Sequence, residues 1–273
     1  MGVITTTVLR YPLNSSKEMG EDFVAREEPL EIRVGGRSIA VTMRTPGQDR
    51  ELAAGFLLSE GLVRERAEII QIAPCLGSDA PENTLNVFLS PGVEIDFKSL
   101  TRHVFASSSC GLCGKASIEA VHQHFAPIDS ALRVSEKVIS KLPDTLRNSQ
   151  KMFQQTGGLH AAAIFNSKGG IVVSREDVGR HNAVDKVIGY GLLENQLPFD
   201  AHLLLVSGRA SFEIMQKALA ARISIVCAIS APSSLAVEFA NESGQTLIGF
   251  LRGSKMNVYS RPERIRRGRS QGK

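Results

Sequence analysis

Two cysteines stand three apart in Ser107-Ser108-Ser109-Cys110-Gly111-Leu112-Cys113-Gly114-Lys115, and they are half of the four cysteines in the 273-residue chain. The spacing lets the two thiols reach each other, and small neighbours leave them open to a reactant. Lys115 and the start of a following helix both favour thiolate over thiol. A thiolate serves sulfur transfer, thiol redox chemistry and metal binding alike. A structural zinc site needs a second pair of ligands at similar spacing, and the chain has none, so no zinc is expected. Cys75 and Cys227 are isolated, and Cys227 lies within the apolar run Ile225–Ile229, where it reads as a buried strand residue.

Other polar segments carry chemistry at points where elements must meet. Thr156-Gly157-Gly158-Leu159-His160 puts a histidine at the start of a strand, fit for acid–base work, for steering a ligand or for an ordinary structural hydrogen bond. In Arg175-Glu176-Asp177-Val178-Gly179-Arg180-His181-Asn182-Ala183-Val184-Asp185-Lys186, two arginines, a histidine, an asparagine and a lysine crowd a strand-to-helix junction. That suits an anionic ligand, although a charged surface helix is the plainer alternative. Ser207-Gly208-Arg209-Ala210-Ser211, Ser230-Ala231-Pro232-Ser233-Ser234 and Phe250-Leu251-Arg252-Gly253-Ser254-Lys255 each follow a strand. Capping serines would explain two of them singly. Together, at successive strand ends, they could line one site for a phosphorylated ligand. His122 and His124 receive no role.

The elements that must position these groups follow from patterning. Leu30–Val34 and Ser38–Met43 flank Gly35-Gly36 as a hairpin. Asp49 is expected to cap a helix through Leu52, Phe56 and Leu57 that ends near Gly61, and Thr84–Ser90 alternates as a strand. Ile118, Val121, His122 and Phe125 recur at helical spacing, and one helix is expected from Leu142 to Gln155, closed by Gly157-Gly158. His160–Phe165 and Gly170–Ser174 read as strands, after which Asp177 caps a helix. Strand 203–207, helix 211–221, strand 225–229, helix 233–241 and strand 246–251 then alternate. The fold class is α/β, a mixed sheet covered by helices, with ligands expected at the C-terminal strand ends. Residues 1–105 form a small α+β region, 106–260 the α/β core, and 261–273 a basic tail expected to be solvated and disordered.

Composition narrows the function classes. Hydrophobic residues make up 42% of the chain, enough for a real core, and no apolar run approaches the roughly 18 residues of a membrane span. The first sixteen residues lack the features of a secretory signal, and sparse cysteines suit a reduced, cytoplasmic protein. The net charge of +4 lies in the tail, which holds six Lys/Arg and one Glu; the body is near −1 and argues against nucleic-acid binding. Neither a P-loop nor a G-x-G-x-x-G fingerprint is present, which disfavours triphosphate hydrolysis and ordinary dinucleotide oxidation.

The cysteine loop, the Thr156–His160 and Arg175–Lys186 segments, Ser207–Ser211 and Gly249–Ser254 resemble, in order and in register, the FdhD family of formate dehydrogenase accessory sulfurtransferases. The likeness runs from about Asp22 to Tyr259. It implies a sulfur relay in which a cysteine desulfurase loads a persulfide onto Cys110, with Cys113 as the second thiol. The sulfur then passes to the molybdenum-bis(molybdopterin guanine dinucleotide) cofactor, which is bound as substrate and handed to the formate dehydrogenase catalytic subunit. It also implies a homodimer with a cytidine-deaminase-like core. The family's cofactor-binding segment falls on Phe250, Leu251, Arg252, Gly253, Ser254 and Lys255. Gly208, Arg209, Ser211, His160, Arg180 and His181 complete the expected binding face.

Three other readings are weighed. A zinc deaminase needs His-x-Glu followed downstream by Pro-Cys-x-x-Cys; here Ala161-Ala162 follow His160, and the cysteine pair precedes it. A cofactor-binding chaperone that moves no sulfur would keep its function in Cys110→Ala. A thiol oxidoreductase would cycle a Cys110–Cys113 disulfide with ordinary redox partners.

Overall fold

The computed structural model describes residues 2–13, 16–95, 97, 118–119, 121–122 and 124–267. Cys110 and Cys113 lie outside them. The N-terminal part holds β1 (Val3–Arg10), β2 (Glu18–Ala25), β3 (Glu28–Val34), β4 (Arg37–Arg44), α1 (Asp49–Ser59), β5 (Ile69–Pro74) and β6 (Thr84–Leu89). β3–β6 form a four-stranded sheet of order β4-β3-β6-β5, with the expected hairpin at Gly35-Gly36, where both glycines have positive φ. β1 and β2 pair only with each other, and their side chains are largely exposed on both faces. This arm has no buried stripe, which is why patterning does not reveal it.

The next elements are β7 (Val134–Ser135), α2 (Glu136–Ile139), α3 (Leu142–Ser149), α4 (Lys151–Thr156), β8 (His160–Asn166), β9 (Ile171–Asp177) and α5 (Arg180–Leu193). They are followed by β10 (His202–Val206), α6 (Phe212–Ala220), β11 (Ile225–Ala228), α7 (Ser234–Glu242), β12 (Thr246–Arg252), β13 (Lys255–Val258) and β14 (Ile265–Arg266). A six-stranded mixed sheet runs β13-β12-β11-β10-β8-β9, with β10, β11 and β12 parallel and β8 antiparallel to β10. Strand alternation divides two buried layers. Ala162, Ile164, Leu204, Val206, Val226 and Leu247 join the larger layer with α1, α5, α6 and α7. Ala161, Phe165, Leu203, Leu205, Ile225 and Cys227 join Leu142 and Leu146 of α3 in the smaller one. The larger layer also takes Leu30, Ile32 and Val87 from the first sheet, so residues on both sides of position 105 share one core. Among the described residues no helix is long and apolar enough to cross a membrane.

Several local expectations need correction. The helix expected over 142–155 is two helices, broken at Gln150 (φ −82°, ψ 72°). The second start is stabilised from outside, because Glu176 on β9 accepts from the amides of Met152 (3.0 Å) and Phe153 (2.7 Å). Asp177 does not cap α5; Gly179 occupies that position and Asp177 ends β9, fully buried. Asp49 is the first residue of α1 rather than its cap, and its carboxylate pairs with Arg44 at 3.0 Å. Part of the basic tail is built in: β14 pairs in parallel with β7, and Arg264 is buried, donating to the Gly244 carbonyl at 2.7 Å.

Candidate functional site

The three expected loops follow β10, β11 and β12, so parallel pairing alone brings them to one edge of the sheet. Backbone bonds then stitch them together. Ala210 donates to Ala231 (3.2 Å), Ser233 to Ala210 (3.0 Å) and Phe250 to Ser230 (3.0 Å). Because β8 is antiparallel, its first residue, His160, reaches the same edge, as does the start of α5 after β9. An ideal Cβ built on Gly208 would lie 3.3 Å from His160 Nδ1 and 3.6 Å from Arg180 Cδ. Gly208 is therefore the residue that lets these side chains close over the β10 loop.

Arg180 is the first residue of α5, and its Nε is buried with no hydrogen-bond partner among the described residues. The first amides of that helix have no intrahelical acceptor, so donors and the positive end of the helix dipole face the same place. Asp177 does not neutralise the cluster, since its carboxylate is committed to Lys186 (2.7 Å), the Gly179 amide (2.8 Å) and Asn182 Nδ2 (3.0 Å). His181 Nε2 lies 3.3 Å from Ser211 Oγ and 3.9 Å from Glu213 Oε2.

Both histidines are pushed toward the neutral form. Burial, then the Arg180 charge, lowers His160, with Asp177 opposing. Burial, Arg180 and Lys217 lower His181 to about 4, against the weaker pull of Glu213. Burial opposes ionisation of Glu213, but the Ser211 hydroxyl, its own backbone amide, His181 and Arg180 outweigh it and hold the carboxyl low. The N-terminus of α6 is thus already served by a carboxylate, and the free cationic face belongs to α5. The unfolded chain binds a proton at His181 near pH 6.5 and the folded chain only near 4. Stability should therefore be complete above pH 6.5 and decline as pH falls toward 4. Urea midpoints between pH 7 and 5 should drop less in His181→Gln than in the parent; equal slopes would remove His181 from the account. With 35% of its side chain exposed, solvent screens part of the effect.

The remaining predicted residues divide by exposure. Ser233 is an ordinary cap, accepting from the Ala236 amide at 3.2 Å, whereas Ser211 makes no side-chain cap bond to its helix. Arg209, Gly253, Ser254 and Lys255 are exposed. Arg252 is exposed too, with Nε 3.3 Å from the Ile229 carbonyl. Phe250 is 41% exposed and has φ +50°, an uncommon conformation for an aromatic residue. This bulge between Gly249 and Arg252 turns Leu251 onto the same face as Ile248, where it is fully buried, so only its backbone reaches the edge.

A model of the FdhD/NarQ family matches residues 25–266. The chain belongs to this family. The sulfur carrier protein FdhD of Streptomyces coelicolor is 53% identical over 251 residues, 89% of each chain. The sulfur carrier protein FdhD of Sulfolobus acidocaldarius is 44% identical over 245 residues, 90% of this chain and 92% of its own. A crystal structure of a formate dehydrogenase accessory protein from Desulfotalea psychrophila superposes with a TM-score of 0.77 at 27% identity, covering 97% of this chain and 99% of that one.

In this FdhD/NarQ-family chain, a cavity of about 470 Å³ opens beside the cationic edge. It is lined by His160 and Ser207 from the edge and by Arg147, Gln150, Phe153 and Leu159 from the α3–α4 side. Sequence reasoning passed over Arg147, Gln150 and Phe153. One signal was available: Leu142, Leu146 and Gln150 are spaced four apart, all three are buried, and the third is polar.

Proposed function

We propose that this chain is a sulfurtransferase of the carrier type, working in the cytoplasm as a homodimer. The Cys110 thiolate attacks the outer sulfur of a cysteine desulfurase persulfide; the donor's S–S bond breaks, its thiolate leaves, and Cys110 becomes the persulfide. For delivery, the Cys113 thiolate attacks Cys110 Sγ. The Cys110–Cys113 disulfide forms, its two electrons reduce the outer sulfur, and hydrosulfide leaves toward the molybdenum of the bis(molybdopterin guanine dinucleotide) substrate. The sulfurated cofactor is then passed to the formate dehydrogenase catalytic subunit.

The observation that carries this reading is the cationic edge at the C-terminal ends of the strands. Among the described residues Arg180 Nε is buried without a partner at the start of a fourteen-residue helix, beside His160 and Gly208. Such an arrangement suits the pyrophosphate of a dinucleotide. Arg252 and Lys255 add cations on the neighbouring loop, and exposed Phe250 offers a ring face. The relatives' name, sulfur carrier protein FdhD, supports the transfer chemistry. The order β9-β8-β10-β11-β12, with β8 antiparallel to the parallel strands, supports the cytidine-deaminase-like reading of the core.

Intact mass after incubation with a cysteine desulfurase and cysteine tests the proposal. One added, reductant-labile sulfur is expected in the parent and in Cys113→Ala, and none in Cys110→Ala. No added sulfur in the parent, with a competent desulfurase, would overturn the carrier role in favour of a chaperone or redox protein.

A further inference from the structure

We propose that the β1–β2 arm is the contact through which two copies of this chain associate, with β1 of one copy pairing antiparallel to β1 of the other about a twofold axis at Thr6. The inference rests on the homodimer reading and names the element that makes the dimer.

Three observations carry it. The first is an unprotected edge. β1 pairs with β2 in unbroken register from Val3↔Ala25 to Arg10↔Glu18, and among the described residues neither strand has a second neighbour. Isolated two-stranded ribbons are marginal in water, and free edges are ordinarily blunted by charge, proline or a bulge. The β2 edge is blunted by Glu18, Glu21 and Asp22. From Val3 to Leu9, β1 carries no charge, proline or bulge, so its edge is open to another strand.

The second observation is an apolar face. Opposed residues of the ladder share a face, which puts Phe23 beside Thr5 and Met19 beside Leu9 on one side of the arm. Phe23, Met19 and Leu9 are 52%, 71% and 44% exposed. On the other side Arg10 lies against Gly20 and donates to the Glu21 carbonyl at 2.6 Å.

The third observation selects the occupant. β1 reads Val3-Ile4, Thr5-Thr6-Thr7, Val8-Leu9, a pattern symmetric in character about Thr6. A twofold axis there sets Val3 opposite Leu9, Ile4 opposite Val8, Thr5 opposite Thr7 and Thr6 opposite its copy. Apolar residues then face apolar ones and threonines face threonines. The axis runs normal to the ribbon, so the two apolar faces join into one surface. A β2–β2 contact centred in the same way would set Glu21 against Asp22. The eight-residue edge is about 26 Å long and about 10 Å deep. With the tip residues Tyr11 and Leu13, 68% and 95% exposed, seated against the partner copy, each chain buries on the order of 800 Å², the size of a stable interface.

The pairing also reaches the site. Antiparallel arms bring the tip of each to the base of the other. At that base an ideal Cβ on Gly2 would lie 2.8 Å from Met152 Sδ of α4, and one on Gly158 would lie 3.6 Å from Ala25 Cβ. Gly158 lines the cavity, so each copy helps to wall the mouth of the other's cavity.

Sedimentation velocity of the full chain at micromolar concentration, joined to cysteine crosslinking, tests this. The parent should sediment as a dimer. Thr6→Lys sets two ammonium groups opposite each other on an exposed edge and should sediment as a monomer. Thr6→Cys should form a reductant-sensitive covalent dimer under mild oxidation, well above the parent's background. Asp22→Cys is exposed on the same arm but lies about 14 Å from its copy across three strand spacings, and it should not crosslink. The near-isosteric Thr6→Cys carries the test should Thr6→Lys fail to fold. A monomeric parent would overturn both this contact and the homodimer reading. A dimer that persists in Thr6→Lys, or Asp22→Cys crosslinking as readily as Thr6→Cys, would overturn the β1 contact and leave the homodimer standing. The mass of the Cys110 adduct reports sulfur transfer separately.

Discussion

Gly189→Ala is expected to cost the chain its native fold. Gly189 lies inside α5, where an ideal Cβ would sit 1.8 Å from the Glu51 carbonyl oxygen and 2.7 Å from the Gly55 amide nitrogen of α1. The contact is reciprocal, since a Cβ on Gly55 would lie 1.9 Å from the Asp185 carbonyl oxygen. These neighbours are backbone atoms within helices, and no side-chain rotation relieves the clash. The helices would have to separate, opening the layer that holds Ala53, Leu57, Val184 and Ile188. Overpacking commonly costs about 1–3 kcal/mol, and an unavoidable backbone collision belongs to the tail above about 4 kcal/mol. A loss of that size is a large share of a typical domain's stability. Urea denaturation and soluble yield provide the measurement, with Gly77→Ala as the control, because a Cβ there meets nothing. A Gly189→Ala protein within about 1 kcal/mol of the parent would show that the helices part easily. The consequence reaches the site, since α5 carries Arg180 and His181 on its first turn.

The alternating strands and helices from His160 to Arg252 were legible because each strand is a short apolar run and each helix has a breaker or cap nearby. Parallel pairing then made the meeting of the three loops a matter of topology. What escaped depends on partners distant in sequence. The break at Gln150 is held by Glu176, a residue of another strand, and nothing local marks it. Asp177 looks like a cap because it precedes a helix by a few residues; its burial beside Lys186 and Thr45 makes it a hub instead. The α5 N-terminus was read as cationic from its sequence, but the orphaned Arg180 Nε emerges only once Asp177 is spent elsewhere. Leu251 was grouped with the binding loop because the family's cofactor-binding segment falls on 250–255, and the left-handed Phe250 turns it into the core. The interior glycines of α1 and α5 are poor helix formers, and nothing local in the sequence says which backbone each must meet.

Lys186→Met should lower stability by about 3–5 kcal/mol, the usual cost of stranding a buried charge. Lys186 is buried, its Nζ 2.7 Å from Asp177 Oδ2 and 2.9 Å from the Thr45 carbonyl. Methionine fills the volume of the stem but leaves the Asp177 carboxylate with only neutral donors: the Thr45 amide (3.2 Å), the Gly179 amide and Asn182. Asp177→Asn should cost a similar amount, because it strands the ammonium instead. The double variant should be less destabilised than the sum of the singles, since neither charge is then left alone, and urea denaturation over the cycle measures that coupling. Additivity within about 0.5 kcal/mol would mean that the two groups do not depend on each other. The pair fixes more than stability. Asp177 holds the Gly179 amide and Asn182, and so sets the first turn of α5 from which Arg180 projects. In the double variant Asp177→Asn/Lys186→Met, where the net charge behind the turn is unchanged, pyrophosphate affinity should therefore fall under conditions where the protein remains folded, because Arg180 then projects from a loosened turn.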